Sequence, residues 1–241
     1  ENNGINLTVN THDQQNKSIY YKWDYEETWE LNSDFRNAYE YKPPLVVPRT
    51  GDLSKFFFCW STSKSNKILL GSSAQLTSDV INDAPITFIP IEAEKLGVRY
   101  SILIRQQALD RKGYDFYKMM QSNTESIGSV FDPQPSDLPG NITCVSNPLE
   151  KAIGYIAAAT VSEKRIFLLA SQVGSRFRLN CGITYVKNHP DSIGFYFGNM
   201  GFRPFSADAD GSPPQILGYY SSYPVCIDCT LRGSNIKPSF W

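Results

Sequence analysis

The chain has 241 residues, and its 23 Lys and Arg residues against 24 Asp and Glu residues give a formal net charge of −1. This balance provides no general attraction to nucleic acid or to an anionic membrane surface, so neither is expected as a partner. No run approaches the roughly 20 apolar residues that a membrane helix needs. The chain starts at Glu1 without Met and without a signal peptide, so we expect an N-terminal part to be missing.

The first elements along the chain are strands. Ile5, Leu7 and Val9 alternate with polar residues, and a second alternating segment covers residues 19–26. A turn-like stretch separates the two, so we predict that they are neighbouring antiparallel strands. The proline-containing segment 32–54 is expected to be irregular.

Several short strands and one helix follow. Residues 97–107 alternate cleanly and predict a strand, whereas apolar residues at helical spacing predict a helix near 109–121 with Asp110 as its N-cap. Three prolines in segment 131–140 predict an extended surface crossing. Segment 172–224 has too weak a periodicity for its elements to be placed.

Short strands, frequent turns and one short helix are typical of an antiparallel β-sandwich rather than of alternating β and α units. We therefore predict a mainly β protein with an immunoglobulin- or fibronectin-like sandwich and long insertions. A single β-rich domain is expected over residues 4–241.

The sequence offers little catalytic chemistry. Its two histidines, His12 and His189, lie in turn-like segments, and no metalloprotease, serine-hydrolase or phosphate-loop motif occurs. We therefore expect no enzymatic activity, no metal and no cofactor, with an undetected hydrolase as a remaining alternative.

The chain has five cysteines, two of them in the motif Cys226-x-x-Cys229. This spacing suits a redox dithiol or half of a zinc site, but no helix can follow it for long and no second close pair is present. Structural disulfides in an exported protein are favoured, and buried free thiols in a reducing compartment are the alternative.

Two groups of aromatic residues are candidate contacts for a ligand or partner. The first consists of Trp23 and Trp29, which flank the acidic residues Glu26 and Glu27. The second lies among glycines and comprises Phe195, Tyr196, Phe197 and Phe202. The alternative for the acidic residues beside the first group is a solvated strand end, and the alternative for the second group is a set of core strands.

Several blocks of this sequence resemble those of a Bacteroidota family catalogued as domain of unknown function 4249. The blocks extend from about residue 4 to the end and are Tyr20-Tyr-Lys-Trp-Asp-Tyr-Glu-Glu-Thr-Trp-Glu30, Phe58-Cys-Trp60, Arg99-Tyr-Ser-Ile102, Tyr114-Asp-Phe-Tyr117, Phe131-Asp-Pro-x-Pro135, Pro139-Gly-Asn-Ile142, Gly154-Tyr155, Ser162-Glu-Lys-Arg-Ile166, Cys226-x-Asp-Cys229-x-x-Arg-Gly and Lys237-Pro-x-Phe-Trp241. One departure is Ser234, where many relatives have a second glycine.

The resemblance implies an outer-membrane lipoprotein that is anchored on the periplasmic or the cell-surface face. Family members carry a signal peptide, a lipidated cysteine and a small β-sandwich domain before the region seen here, and we expect these parts to be absent from this chain. Their genes often lie beside those of TonB-dependent transporters. We therefore expect an accessory partner of such a transporter, with a free-standing glycan- or peptide-binding surface module as the alternative.

The exported location that the resemblance implies strengthens the prediction of disulfides. We expect Cys226 or Cys229 to bond to Cys181 or Cys144, which would leave Cys59 buried and free. In addition, Asp191-Ser192-Ile193 resembles a short O-glycosylation sequence of this phylum, so Ser192 is a candidate for modification.

Overall fold

The computed structural model describes residues 3–15, 17–125, 140–147, 150 and 154–241, and all strand pairs in these ranges are antiparallel. The strands are β1 (Gly4–His12), β2 (Tyr20–Asn32), β3 (Tyr39–Lys42), β4 (Leu45–Pro48), β5 (Phe58–Lys64), β6 (Leu69–Ser72), β7 (Val80–Pro90), β8 (Arg99–Leu109), β9 (Thr160–Leu169), β10 (Thr184–Lys187), β11 (Arg203–Asp210) and β12 (Gln215–Ser222).

The main sheet is built around β2, which is 13 residues long. It pairs with β8 along most of its length, while β5 and β6 pair with the two ends of its other edge, and β9 extends the sheet beyond β8. Side chains alternate between the two faces of a strand, so Tyr21 and Trp23 share one face and point into the core.

A second layer covers the inner face of this sheet. It is the two-stranded ribbon of β1 and β7, whose Leu7, Ile86 and Ile89 pack in one core with Trp23 and Tyr100 of the main sheet. This sandwich-like arrangement confirms the predicted mainly β, antiparallel class. The finer assignment to an immunoglobulin-like topology stays a prediction.

The prediction that β1 and β2 are neighbouring strands is wrong. Both strands carry an apolar face, and the two faces meet across the core instead of lying side by side in one sheet. The connection between them is therefore a crossing between layers. Its turn is organised by Asp13, whose carboxylate accepts backbone N–H groups from Gln15, Lys17 and Ser18.

A smaller sheet with the strand order β10-β12-β11 forms a second core with the β3–β4 hairpin. Buried Val186, Phe197 and Tyr219 pack there against the half-buried side chains of Tyr39 and Tyr41. Segment 32–54, predicted to be irregular, thus contains a hairpin, since its tyrosines have this sheet to pack against.

The predicted helix near 109–121 is confirmed as α1 (Arg111–Glu125), and Asp110 caps it by accepting the N–H of Gly113 at 2.8 Å. The expectation of a single helix is too simple. Further short helical elements are α2 (Ala170–Val173), α3 (Pro190–Ile193), a π-helix at Gly194–Asn199, α4 (Pro224–Ile227) and 3-10 turns at Leu53–Phe56, Glu94–Leu96 and Cys229–Leu231.

Two further points concern the limits of the described ranges. The proline-rich crossing predicted for segment 131–140 lies outside them, apart from Gly140. Within them, no helix combines the length and the apolar character required to cross a membrane.

Candidate functional site

The C-terminal tail, residues 226–241, is fixed to the rest of the molecule by two disulfides. Cys226 is bonded to Cys181, one of the pairings that the sequence left open, and their Cα atoms are 5.9 Å apart. Cys229 is bonded to Cys59 with a Cα separation of 5.7 Å. The expectation of a free Cys59 is therefore wrong, and the free cysteine is Cys144, one of the predicted disulfide candidates.

Cys59 reaches the tail because of its place in the main sheet. It lies opposite Leu31 in the register of β5 and β2, and both side chains pack against Cys229 in a separate small core. The two bonded cysteines are 170 positions apart, and no local pattern reports such a contact. Cys144 instead places its thiol 3.3 Å from the hydroxyl of Ser146 on a polar segment.

Polar contacts hold the tail along its length. Ser234 and Trp60 exchange two backbone hydrogen bonds, each 2.8 Å long, so the tail occupies the strand edge of β5 at this point. Arg232 pairs with Glu94 and donates a second hydrogen bond to the backbone oxygen of Asn32 at 2.6 Å. The tail is therefore an ordered part of the body and not a loose end.

The end of the tail lies on the outer face of the main sheet. The indole N–H of Trp241 donates to Glu30 at 3.2 Å, and its ring meets Phe167 edge-on at 5.7 Å. The guanidinium of Arg99 lies 4.4 Å from the ring centre of Phe167 and 5.0 Å from that of Trp241. Next to it, the guanidinium of Arg165 covers Phe240 at 3.6 Å.

A groove of about 420 Å³ opens between this tail and the 3-10 turn Leu53–Phe56, and we call it the tail groove. Strand register builds its floor, because Trp60, Glu30 and Arg99 stand directly opposite one another on β5, β2 and β8. The other lining residues come from the turn, from β5 and from the tail: Asp52, Ser54, Lys55, Phe58, Asn235, Lys237 and Trp241.

The charges in the tail groove are unevenly engaged. Glu30 accepts the Trp241 indole N–H, and Asp52 accepts the backbone N–H of Ser54 at 2.9 Å. Hydrogen bonding from the side chain of Ser54, followed by that from its backbone N–H, lowers the pKa of Asp52. By contrast, the cations form no ion pair with any described residue: Lys55, Arg99 and Lys237. The charge of Lys55 still acts on Asp52, whereas Arg99 and Lys237 border the groove without a close carboxylate among the described residues.

A second candidate surface is an aromatic patch formed by Phe195 and Tyr196 of the π-helix, by Met200 and Phe202 between that helix and β11, and by Tyr223 directly after β12. The ring centres form a continuous series with spacings of 5.2, 6.2 and 5.0 Å, and Phe195, Met200 and Tyr223 are more than half exposed. Of the predicted contact residues, Phe195 is exposed, whereas Tyr196 and Phe202 are half-buried and also pack against the small-sheet core.

The remaining predicted contacts are core residues. Phe197 is buried in the small-sheet core, and Trp23 is buried in the main core with its indole N–H bound to Gln106 at 2.8 Å. Trp29 is half-buried, packs against the same core and lies under the ammonium of Lys95. The alternation of β2 turns both tryptophans inward. The prediction of Trp23 as a ligand or partner contact is therefore wrong, whereas that of Trp29, which is half-buried, stays a prediction.

The acidic run of β2 is divided between the two faces of the sheet. Glu27 is buried, accepts the hydroxyl of Tyr100 at 2.8 Å and pairs with Lys95. Burial, followed by the charge of Glu27, raises the pKa of Tyr100, which therefore stays a neutral donor. Glu26 lies on the outer face, 3.9 Å from Lys64. The contacts of Glu27 therefore stabilise the fold, whereas Glu30 lines the tail groove.

A larger groove of about 600 Å³ lies beside the Asp13 turn, but its polar groups have structural partners. Asp13 accepts the N–H groups of that turn, and Gln106 bridges the indole of Trp23 and the hydroxyl of Thr11, with both hydrogen bonds 2.8 Å long. We therefore assign it no ligand.

Other candidate chemistry is sparse in the described ranges. Among these residues no group of three or more His, Cys, Asp or Glu side chains could hold a metal ion. Ser192 is half-buried in α3 beside the exposed Asp191, and its O-glycosylation stays a prediction.

Comparison with known proteins gives one family assignment. The sequence model for "Domain of unknown function (DUF4249)" matches residues 1–165, which include β1 to β8 and the first part of β9. No curated protein and no solved structure matches the chain.

Proposed function

Because the chain belongs to the domain of unknown function 4249 family, we propose that it is a non-enzymatic, lipid-anchored outer-membrane protein that serves as an accessory partner of a TonB-dependent transporter. The anchor and the transporter come from the family resemblance described above. The observation that carries the proposal on this chain is the aromatic patch.

Two disulfides support an exported location. Such bonds form and persist in the periplasm and on cell surfaces, and they are rare in reducing compartments. One bond joins the tail to β5 of the main sheet through Cys59, and the other joins it to Cys181, which precedes β10.

The aromatic patch has the composition of a protein interface. Tyr, Phe and Met are enriched at the centres of interfaces, and Arg203 adds an exposed cation at its border. Edge-to-face and stacked contacts hold Phe195, Tyr196, Phe202 and Tyr223 in place before a partner arrives, which reduces the entropy lost on docking.

A pull-down tests this proposal. The full-length lipidated protein is recovered from native outer membranes after mild cross-linking, and the wild type is compared with Phe195→Ser/Tyr223→Ser. The matched control is Tyr185→Ser/Tyr220→Ser, since these tyrosines form an exposed ring pair on the small sheet. We expect the wild type and the control to recover a transporter, and the patch variant to recover about tenfold less.

Two results count against the proposal. If the wild type repeatedly recovers no transporter, the partnership is rejected. If the patch variant and the tyrosine control lose the transporter equally, the partnership remains but the aromatic patch is not its interface.

The second candidate function is a free-standing module that binds a glycan or a peptide. The observation that favours it is the tail groove, which is lined by Trp60 and Trp241 and by cations that form no ion pair with a described residue. This function is tested by probing glycan and peptide arrays with the oxidised protein. If the protein binds to neither array, the second candidate function is rejected.

A further inference from the structure

We propose that the tail groove binds an oligosaccharide that carries anionic groups, either carboxylates or sulfates. This inference rests on the second candidate function, the free-standing binding module, and names the ligand class for its site. It goes beyond that function by separating acidic from neutral glycans and glycans from peptides.

The charge pattern of the tail groove selects an anion. Lys55, Arg99 and Lys237 border it and form no ion pair with a described residue, although the charge of Lys55 acts on Asp52. The two carboxylates of the groove, Glu30 and Asp52, already accept hydrogen bonds from within the protein, and the three cations outnumber them. The chain as a whole has a net charge of −1, so this is a local attraction and not a general basic character.

Arg99 is positioned for this role before a ligand binds. Its guanidinium rests against the rings of Phe167 and Trp241, and Trp241 is held in turn by Glu30. A guanidinium stacked in this way keeps its N–H groups available and loses little rotamer freedom on binding. It can therefore donate two parallel hydrogen bonds to a carboxylate or a sulfate.

The aromatic walls select a sugar ring. Trp60 of β5 and Trp241 of the tail both line the groove. The face of an aromatic ring is electron-rich, so it attracts the slightly positive C–H groups on one face of a pyranose. A groove of about 420 Å³ is of the size that small-molecule sites have in proteins, and it suits a short oligosaccharide.

The backbone around the groove disfavours a peptide. Extended peptides commonly bind by adding a strand to a free sheet edge, with main-chain hydrogen bonds as the source of affinity. At Trp60 this edge of β5 is already occupied, because the tail residue Ser234 makes both hydrogen bonds. A sugar needs no such edge.

Isothermal titration of the oxidised protein at about 0.15 M salt tests the inference, since surface charges are screened at that ionic strength. The probes are hexasaccharides of galacturonate, of chondroitin sulfate and of neutral maltose units, together with a hexaglutamate peptide. We expect binding of at least one acidic sugar, and none of the neutral sugar or of the peptide. The two acidic probes distinguish carboxylate from sulfate recognition.

Variants locate the site. Lys55→Gln/Lys237→Gln is expected to weaken binding of the acidic sugar by about tenfold, because each removed cation costs a charge-assisted hydrogen bond. The control Lys67→Gln/Lys112→Gln removes the same charge from exposed positions near the other end of β2 and is expected to leave the affinity unchanged. Thermal unfolding verifies that both double variants are folded.

The possible failures are distinguishable. Binding of neutral and acidic sugars with equal affinity would reject the anionic class and retain the binding module. Equal binding of hexaglutamate, or equal losses in both double variants, would show nonspecific attraction of anions and overturn the inference. Binding of no saccharide would reject both the inference and the glycan form of the second candidate function.

Discussion

Replacing Cys59 and Cys229 by alanine tests how far the tail stabilises the fold. Their bond spans 170 positions, and closing a loop of that length lowers the entropy of the unfolded chain. At about 25 °C this stabilises the folded state by about 5 kcal/mol. Native disulfides usually deliver less than this limit, so we expect the free energy of unfolding to fall by about 3–5 kcal/mol. The Cys181–Cys226 bond spans 45 positions, and its limit is about 4 kcal/mol.

Urea unfolding followed by tryptophan fluorescence measures these losses. Each bond is removed by a double replacement so that no new unpaired thiol is created beside that of Cys144, and each variant is compared with the oxidised wild type. The fully reduced wild type is the control, since reduction should produce a stability close to that of a variant lacking both bonds. We expect the variant without the Cys59–Cys229 bond to be the less stable of the two.

The reasoning has a clear refutation. A loss below about 0.5 kcal/mol for the Cys59 and Cys229 variant lies within the range of ordinary surface substitutions, and it would show that the long loop contributes nothing. A larger loss from the shorter loop would show that packing around Cys226 outweighs chain entropy.

Three further predictions concern the core, the buried acid and the turn. Trp23→Ala is expected to lower the free energy of unfolding by about 3–5 kcal/mol, and Phe195→Ala by less than about 0.5 kcal/mol, in the same urea assay; equal losses would contradict their assignment to core and surface. Glu27→Gln is expected to cost about 1–3 kcal/mol, because a buried hydrogen-bonded charge is removed, and an unchanged urea midpoint would oppose this. Hydrogen bonds from backbone N–H groups, that of Gln15 foremost, lower the pKa of Asp13 in the folded protein from the ordinary value of 3.8. The stabilisation of the fold by the ionised Asp13 is therefore complete above pH 3.8, and it is lost as the pH falls through the pKa of the folded state. Thermal unfolding of Asp13→Asn at neutral pH and near pH 3 is expected to show less acid destabilisation than the wild type; identical shifts would argue against it.

Features with a local cause could be predicted from the sequence. The alternation over residues 19–26 correctly predicted the strand β2, and since a pleated strand with one apolar face has one stable orientation, Tyr21 and Trp23 share the core side. The helix near residue 110 was also predictable, because the side chain of Asp110 meets an N–H only three residues away.

Features that depend on distant contacts could not be predicted. Apolar strand faces specify burial but not the partner, so β1 was expected beside β2 and instead pairs with β7. The tail groove requires Trp60 and Trp241 to lie beside the same groove, and no sequence pattern near either residue indicates that the other is close. The motifs did mark both tryptophans, but only as parts of separate blocks.

The pairing of Cys59 with Cys229 also has a topological consequence. The Cys181–Cys226 bond lies entirely within the larger loop, so the covalent chain contains one ring nested inside another. A single proteolytic cut anywhere between Cys59 and Cys229 leaves both fragments joined through sulfur. An oxidised protein that has been nicked once in this region therefore keeps its full mass on a denaturing gel, and only reduction releases the pieces.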